Sequence, residues 1–247
     1  MILNKYKKYF LNGDWHTHST FSDGKNTPEE MVKAAISMNL ELIAITDHVN
    51  RKTDWLDEFS EEINRLKNKY KNQILILSGI EAKAIDLKGN IDARVEFFDK
   101  IDIALGAIHR IPTTEGFMPK EQISKRKDEA LTHWNKTILT LLKNPNVDII
   151  AHPTNLLSLC QITVPSTMKK EIAGLAKEKD KAFESNIKYQ VPDKEFIELL
   201  KENNVSIVKG SDAHDIEELK KFQKKSVDKK TNLGENNGNR RNYFRQK

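Results

Sequence analysis

Residues 42–48 read LIAITDH, a short apolar run that ends in an aspartate and a histidine. The run is too short for a typical helix and has the composition of a strand buried on both faces of a parallel sheet. Similar runs occur at 74–77, 101–107, 147–151, 181–185 and 205–208, and a further strand is expected to end at Trp15. The sequence therefore predicts seven parallel strands.

Amphipathic segments between these runs predict helices. The clearest begins at Thr27, which is a suitable N-cap, with Pro28 at the first helical position and Glu30 completing a capping box. Further helices are expected at about 56–70, 127–143, 167–178, 194–203 and 215–222, and a short hairpin at 88–90. This alternation is typical of an open doubly wound sheet or a closed barrel, and seven units fit a barrel slightly smaller than the eight-stranded type.

Composition limits the class of protein. The 247 residues suffice for one large domain, expected over residues 1–222, and the single cysteine excludes an internal disulfide. No apolar run reaches membrane-spanning length, so we expect a cytoplasmic protein without a membrane partner. Residues 223–247 contain eight basic and two acidic residues, which leaves the rest of the chain nearly neutral. These residues are expected to form a basic, disordered tail.

Side chains that bind metals follow six of the seven predicted strands. They are His16 and His18, His48, Glu81, His109, His152, and Asp212 with His214. In a parallel α/β barrel the carboxyl ends of the strands form one face, so these residues should converge there. His133 falls in a helical segment and is interpreted as an ordinary surface histidine.

The spacing of these residues suits metal coordination. Residues i and i+2 of an extended segment project to the same side, so His16 and His18 can bind one ion, as can Asp212 and His214. Imidazole and carboxylate ligands suit Zn, Mn or Fe. With Asp23 the set has nine members, which is too many for one ion and predicts two or three.

These motifs resemble the PHP (polymerase and histidinol phosphatase) domain family. The resemblance covers roughly residues 13–220 and rests on HTH with a following SDG, TDH, the single-histidine segments and SDAH. It implies a distorted seven-stranded (β/α)7 barrel, similar to a TIM barrel, with the active site at the carboxyl ends of the strands.

The resemblance also implies how three ions would be held. One would be bound by His16, His18, Glu81 and Asp212; a second by Glu81, His109 and His152; and a third by Asp23, His48 and His214. Aspartate at position 23 departs from family members that carry histidine there. Asp14 and Asp47 are expected to orient neighbouring imidazoles.

The leading hypothesis is a phosphoesterase that hydrolyses a phosphate monoester of a small metabolite, such as histidinol phosphate. A metal-bridging hydroxide is the expected nucleophile, and no side chain is assigned a catalytic role. Arg110 and Lys188 are candidate phosphate ligands. Glu184 and Asn186 are expected at the same mouth.

The sequence leaves two alternative functions open. A nuclease acting on nucleotides or oligonucleotides would use the same metals, and its support is the basic tail with the mixed cationic and aromatic sequence RRNYFR at 240–245. A non-enzymatic metal-binding module is the other alternative. It is disfavoured because capable residues fill all nine positions.

Overall fold

Seven parallel strands form one sheet in the computed structural model, which describes residues 3–221. Among these residues, nine strands occur in chain order: β1 Gly13–Thr17, β2 Leu42–Val49, β3 Leu75–Lys83, β4 Ile103–Ala107, β5 Pro112–Thr113, β6 Gly116–Phe117, β7 Ile149–Ala151, β8 Ala182–Asn186 and β9 Ser206–Gly210. The sheet has the order β1-β2-β3-β4-β7-β8-β9, and β5 and β6 form a separate antiparallel hairpin. The predicted seven parallel strands are confirmed.

The sheet closes on itself through the residues that follow β9. Thr17 forms a parallel bridge with Ala213, the Asp212 N–H donates to the His16 carbonyl at 2.8 Å, and the His18 N–H donates to the Ala213 carbonyl at 2.9 Å. Of the two architectures that fit the alternation, the nearly closed barrel is therefore confirmed. Closure brings the HTH and SDAH segments side by side.

Helices alternate with these strands. The α-helices are α1 Pro28–Ser37, α2 Leu56–Tyr70, α3 Lys120–Ile123, α4 Lys127–Leu141, α5 Asn155–Leu159, α6 Ser166–Glu178 and α7 Lys194–Glu202, and residues 216–221 are also helical. The predicted capping box starts α1. The Thr27 hydroxyl accepts from the Glu30 N–H at 3.3 Å, and the Thr27 N–H donates to Glu30 Oε2 at 2.8 Å.

Two apolar layers hold the barrel. One lies between the sheet and the surrounding helices, and the other fills the barrel below the site. A 3-10 helix at Leu3–Tyr9 contributes Leu3 to the inner layer, in which Trp15 is fully buried and Phe10 packs edge-on against it at 5.3 Å. These residues fill the amino-terminal end of the barrel, opposite the carboxyl ends of the strands.

Several strands are longer than their apolar runs suggested. β1 continues to Thr17 rather than ending at Trp15, β2 continues to Val49, and β3 continues to Lys83 through the less apolar segment SGIEAK. His16, His48 and Glu81 therefore lie within strands and not after them. Strand backbone hydrogen bonds hold these three residues, so their positions are more rigid than loop positions would be.

The segments that connect the strands agree only in part with the sequence prediction. The hairpin predicted at 88–90 is confirmed by an antiparallel bridge between Ala84 and Ile91, whereas the β5–β6 hairpin and the short helices α3 and α5 were not predicted. The tail predicted at 223–247 lies outside the described residues. No helix among residues 3–221 is long and apolar enough to cross a membrane.

Candidate metal centre

Nine side chains of the types that can bind a metal meet at the carboxyl ends of the strands, where the sequence analysis expected them to converge. On β1 and the segment after it, the Nε2 atoms of His16 and His18 lie 3.1 Å apart. Asp212 Oδ1 lies 3.0 Å from His18 Nε2 and 3.7 Å from His16 Nε2. All three side chains are buried, and the backbone bonds that close the barrel fix their relative positions.

The fully buried carboxylate of Glu81 lies among four imidazoles. Its Oε1 atom is 2.9 Å from His152 Nε2 and 3.1 Å from His109 Nε2. Its Oε2 atom is 2.8 Å from His48 Nδ1 and 3.4 Å from His16 Nε2. Glu81 thus connects side chains from β1, β2 and the loops after β4 and β7, and it is the centre of the cluster.

A third part of the cluster is more open to solvent. Asp23 lies 3.7 Å from His48 Nε2 and 3.4 Å from His214 Nε2. The exposed side-chain fractions are 58% for Asp23, 34% for His48 and 25% for His214, compared with zero for His18, whose ring stacks against His214 at 4.2 Å. This outer group is therefore the part that solvent and ligands can reach most easily.

The separations suit bound cations. Three groups have ligand atoms close enough together to hold an ion: His16, His18 and Asp212; His16, Glu81 and His152; and His18, Asp23, His48 and His214. Atoms bound at about 2.1 Å to one ion lie no more than roughly 4.2 Å apart, which the observed contacts of 2.9–3.7 Å within these groups satisfy. Moreover, two buried atoms of the cluster, His18 Nδ1 and Glu81 Oε2, have no hydrogen-bond partner among the described residues, and a bound cation would compensate for a missing partner at such an atom.

These groups differ in membership from those implied by the family resemblance. His16 is grouped with Glu81 and His152 as well as with His18, and His18 also belongs to the outer group. His109 is in none of the three groups, although it contacts Glu81. The three groups together contain eight of the nine residues that the resemblance implies.

The electrostatics of the cluster favour positive charge at its centre. Burial lowers the pKa of His16, but Glu184, Glu81 and Asp212 outweigh that effect and hold the net pKa well above its ordinary value. Burial raises the pKa of Glu81, but the nearby His109 and His16 lower it by more. The net pKa of Glu81 is therefore well below its ordinary value. Glu81 therefore stays ionised and attracts protons or metal ions to the imidazoles around it.

Glu184 supports two of these histidines, which the sequence did not reveal. Its buried Oε1 lies 3.2 Å from His16 Nδ1, and its Oε2 accepts from the His152 N–H at 2.5 Å. Asn186 Nδ2 donates to the same Oε1 at 2.9 Å. A carboxylate on the far nitrogen of a metal-ligating imidazole fixes the ring and its tautomer, so Glu184 lies behind the cluster and not at its mouth, where the sequence placed it.

The roles expected for Asp14 and Asp47 are wrong in their detail. Asp14 Oδ1 accepts from the backbone N–H groups of His16 and Ser211, and burial raises the pKa of Asp14 to about 7. Asp47 accepts from the N–H and hydroxyl of Ser19 at 2.8 and 2.6 Å. Both carboxylates hold the backbone around the HTH segment, and neither accepts a hydrogen bond from an imidazole among the described contacts.

Two members of the cluster occupy a strained backbone conformation. His152 has φ 25° and Asp212 has φ 52°, in the region that residues other than glycine rarely adopt. Such strain costs about 1–3 kcal/mol per residue and persists only where the surroundings impose it. Here the Glu184 carboxylate holds the His152 N–H and the His16 carbonyl holds the Asp212 N–H.

The two candidate phosphate ligands differ in their surroundings. The Arg110 guanidinium stacks 4.4 Å above the Phe117 ring of β6 and lines a cavity next to His109. Lys188 donates to the Asp212 carbonyl at 3.1 Å and pairs with Glu218 at 3.1 Å. Lys188 therefore already has partners within the chain, whereas Arg110 faces the cavity.

We expect Glu184→Gln to weaken metal binding and any metal-dependent activity by about 10- to 100-fold, the usual effect of losing such a supporting partner. The amide keeps the shape but loses the charge. Its NH2 group only donates, so the single remaining oxygen can replace the Glu184 contact with His16 or the one with the His152 N–H but not both. Gly210→Ala should have a similar effect, because an added Cβ would lie 2.0 Å from Glu184 Oε1. Metal affinity measured by titration calorimetry checks both variants.

Glu58→Gln, at an exposed position on α2, is the matched control and should bind metal as the wild type does. Wild-type affinity in both Glu184→Gln and Gly210→Ala, with each variant folded by circular dichroism, would show that Glu184 does not position the cluster.

A nearly closed parallel barrel with a cluster of imidazoles and carboxylates at the carboxyl ends of its strands defines this chain as a barrel protein with a candidate metal centre. The sequence profile of the PHP domain matches residues 14–201. The chain belongs to the PHP domain family, as its motifs indicated.

Individual relatives are of two kinds. The chain is 32% identical over 218 residues to the DNA polymerase/3'-5' exonuclease PolX of Bacillus subtilis, covering 85% of this chain but only 35% of that relative. It is 29% identical over 214 residues to a "Probable phosphatase" of Acetivibrio thermocellus, covering 85% of this chain and 83% of that relative. The chain thus spans about a third of the first relative and most of the second.

A solved structure shares the fold. It is the histidinol phosphate phosphatase of Lactococcus lactis in complex with zinc, L-histidinol and phosphate. The TM-score is 0.61 at 21% identity, over 87% of this chain and 94% of that one. At 21% sequence identity, this similarity shows a shared fold only.

Proposed function

We propose that this chain is a metal-dependent phosphomonoesterase that acts on a small phosphorylated metabolite. The observation that carries the proposal is the convergence, near the buried carboxylate of Glu81, of nine side chains of the types that can bind metals. Similarity to a probable phosphatase, of which this chain covers 83%, supports the same activity.

The cluster would hold two or three divalent ions of the zinc, manganese or iron type. The proposed ligands are His16, His18, Asp23, His48, Glu81, His109, His152, Asp212 and His214. When bound, such ions lower the pKa of water and neutralise charge that develops on a phosphoryl group. The zinc and phosphate in the structure of the Lactococcus lactis protein agree with this choice of ions and ligand.

The chain itself contributes orientation and charge. Glu184 fixes the His16 ring and the His152 backbone. Five of the proposed ligands are buried and hold their positions without competition from bulk solvent: His16, His18, Glu81, His152 and Asp212. The outer group, which includes the partly exposed His48 and His214, is open to an incoming phosphate. Arg110 is a proposed phosphate or substrate contact because its guanidinium is held at the rim by Phe117.

A screen of purified protein tests this function. The protein would be supplied with Zn, Mn or Fe and offered phosphomonoesters, phosphodiesters and oligonucleotides. We expect hydrolysis of at least one phosphomonoester, faster than of any diester. Preference for a diester or an oligonucleotide would contradict the proposal.

A nuclease is the second candidate, and the 32% identity to PolX is the observation that favours it. It is weaker because the chain spans only 35% of that relative, whereas it spans 83% of the phosphatase of Acetivibrio thermocellus. Deletion of residues 223–247 separates the two candidates. A nuclease that uses the basic tail should lose oligonucleotide affinity and its salt dependence, whereas a metabolite phosphatase should keep its activity.

A further inference from the structure

A cavity of about 350 Å3 lies beside the metal cluster and shares His109 and His152 with it. Its other walls come from the segment after β4 and from α3 and α5. The volume is at the lower end of the range of small-molecule sites, roughly 300–1,000 Å3. A phosphate on the metal cluster would therefore have its organic group next to this cavity.

The lining of the cavity is mainly apolar. The apolar members are Ile108, Met118, Ile123, Leu156 and Leu159. The first three are buried and shape the floor, whereas the Leu159 side chain is 70% exposed at the rim. A large exposed leucine beside a site for small molecules would become covered when an apolar group binds there.

The polar members of the lining are basic or neutral. Arg110 and Lys120 lie at the cavity together with Asn155, and none of the described residues that line it is acidic. Glu81, the carboxylate next to the shared histidines, is already engaged by His109 and His152. A positively charged group on a substrate would therefore enter without a partner and beside two cations, which costs binding free energy.

We propose that this cavity receives the organic group of the substrate and selects phosphomonoesters whose organic group is apolar and carries no positive charge. The inference rests on the proposed phosphomonoesterase activity and names the substrate class for it. Histidinol phosphate, whose amino group is protonated at neutral pH, should accordingly be a poor substrate.

A matched pair of substrates tests the selection. 3-Phenylpropyl phosphate and 2-amino-3-phenylpropyl phosphate differ only in an amino group next to the ester carbon. We expect kcat/KM to be at least about tenfold higher for the compound without the amino group, a difference of about 1.4 kcal/mol. Equal values, or a preference for the amino compound, would overturn the inference.

A variant locates the selection in the cavity. Leu159→Asp places a carboxylate at the rim and should reduce the ratio of the two kcat/KM values by about fivefold or more. Leu11→Asp is the matched control, because Leu11 is 68% exposed and lies in the turn before β1, at the other end of the barrel. An unchanged ratio in Leu159→Asp, or an equal change in Leu11→Asp, would show that another surface selects the substrate.

The screen separates failure of this inference from failure of the proposed function. If no phosphomonoester is hydrolysed with any of the three metals, the phosphomonoesterase proposal fails and the inference fails with it. If both phenylpropyl compounds are hydrolysed but the amino compound is preferred, the activity stands and only the inference is wrong.

Discussion

His152→Ala and Asp212→Ala are each expected to reduce phosphomonoester hydrolysis to less than about 1% of the wild-type rate, more than loss of a supporting partner alone causes. Asp212 is the carboxylate closest to the His18 imidazole, and His152 is one of two imidazoles on Glu81 Oε1. Each change removes a ligand from a different part of the cluster. Steady-state kinetics with saturating metal provides the measurement.

The fold should survive both changes, because the two side chains lie at the mouth of the barrel and not in its apolar layers. His133→Ala is the matched control: His133 is on α4 and belongs to none of the candidate metal groups, so its variant should keep wild-type turnover. Wild-type turnover in both His152→Ala and Asp212→Ala would contradict the proposed site. Circular dichroism and thermal unfolding confirm that each variant is folded.

Glu81→Gln should have the second large effect, a loss of more than about 100-fold in turnover together with loss of at least one bound ion. Glutamine preserves the volume of a fully buried side chain but removes the negative charge that His16, His48, His109 and His152 surround. We therefore expect this single substitution to disturb several parts of the cluster at once. Elemental analysis of the purified variant measures the bound metal.

The exposed Glu58→Gln on α2 again serves as the control and should retain both metal and activity. If Glu81→Gln bound as much metal as the wild type and turned over at the same rate, Glu81 would have no central role. A variant with full metal but no activity would mean that Glu81 acts on the reaction and does not hold the ions.

Much of this fold could be predicted because apolar runs such as LIAIT and VDIIA are local signals of buried parallel strands. The convergence of the nine candidate ligands could be predicted because a parallel barrel gathers its carboxyl strand ends on one face. The carboxyl ends of β1 and β3 could not be predicted from the sequence. Polar residues of the candidate site interrupt the apolar pattern where these strands continue, as in the segment SGIEAK of β3.

The supporting contacts could not be predicted for a different reason. The contact of Glu184 with His16 joins residues 168 positions apart, and it depends on how β8 faces β1 across the interior of the barrel. Likewise, only the closed barrel shows that His16 and His18 each belong to two candidate metal groups. A sequence reveals which side chains reach a common face, but the pairing of atoms on that face depends on strand register.

The metal content of the wild-type chain, measured together with its phosphomonoester hydrolysis before and after chelation, tests the central claim most directly. The account predicts two or three divalent ions per chain, loss of hydrolysis when they are removed, and recovery when Zn, Mn or Fe is restored. A chain that hydrolysed phosphomonoesters at the same rate after complete removal of metal, or that bound no divalent ion with all nine residues intact, would contradict it.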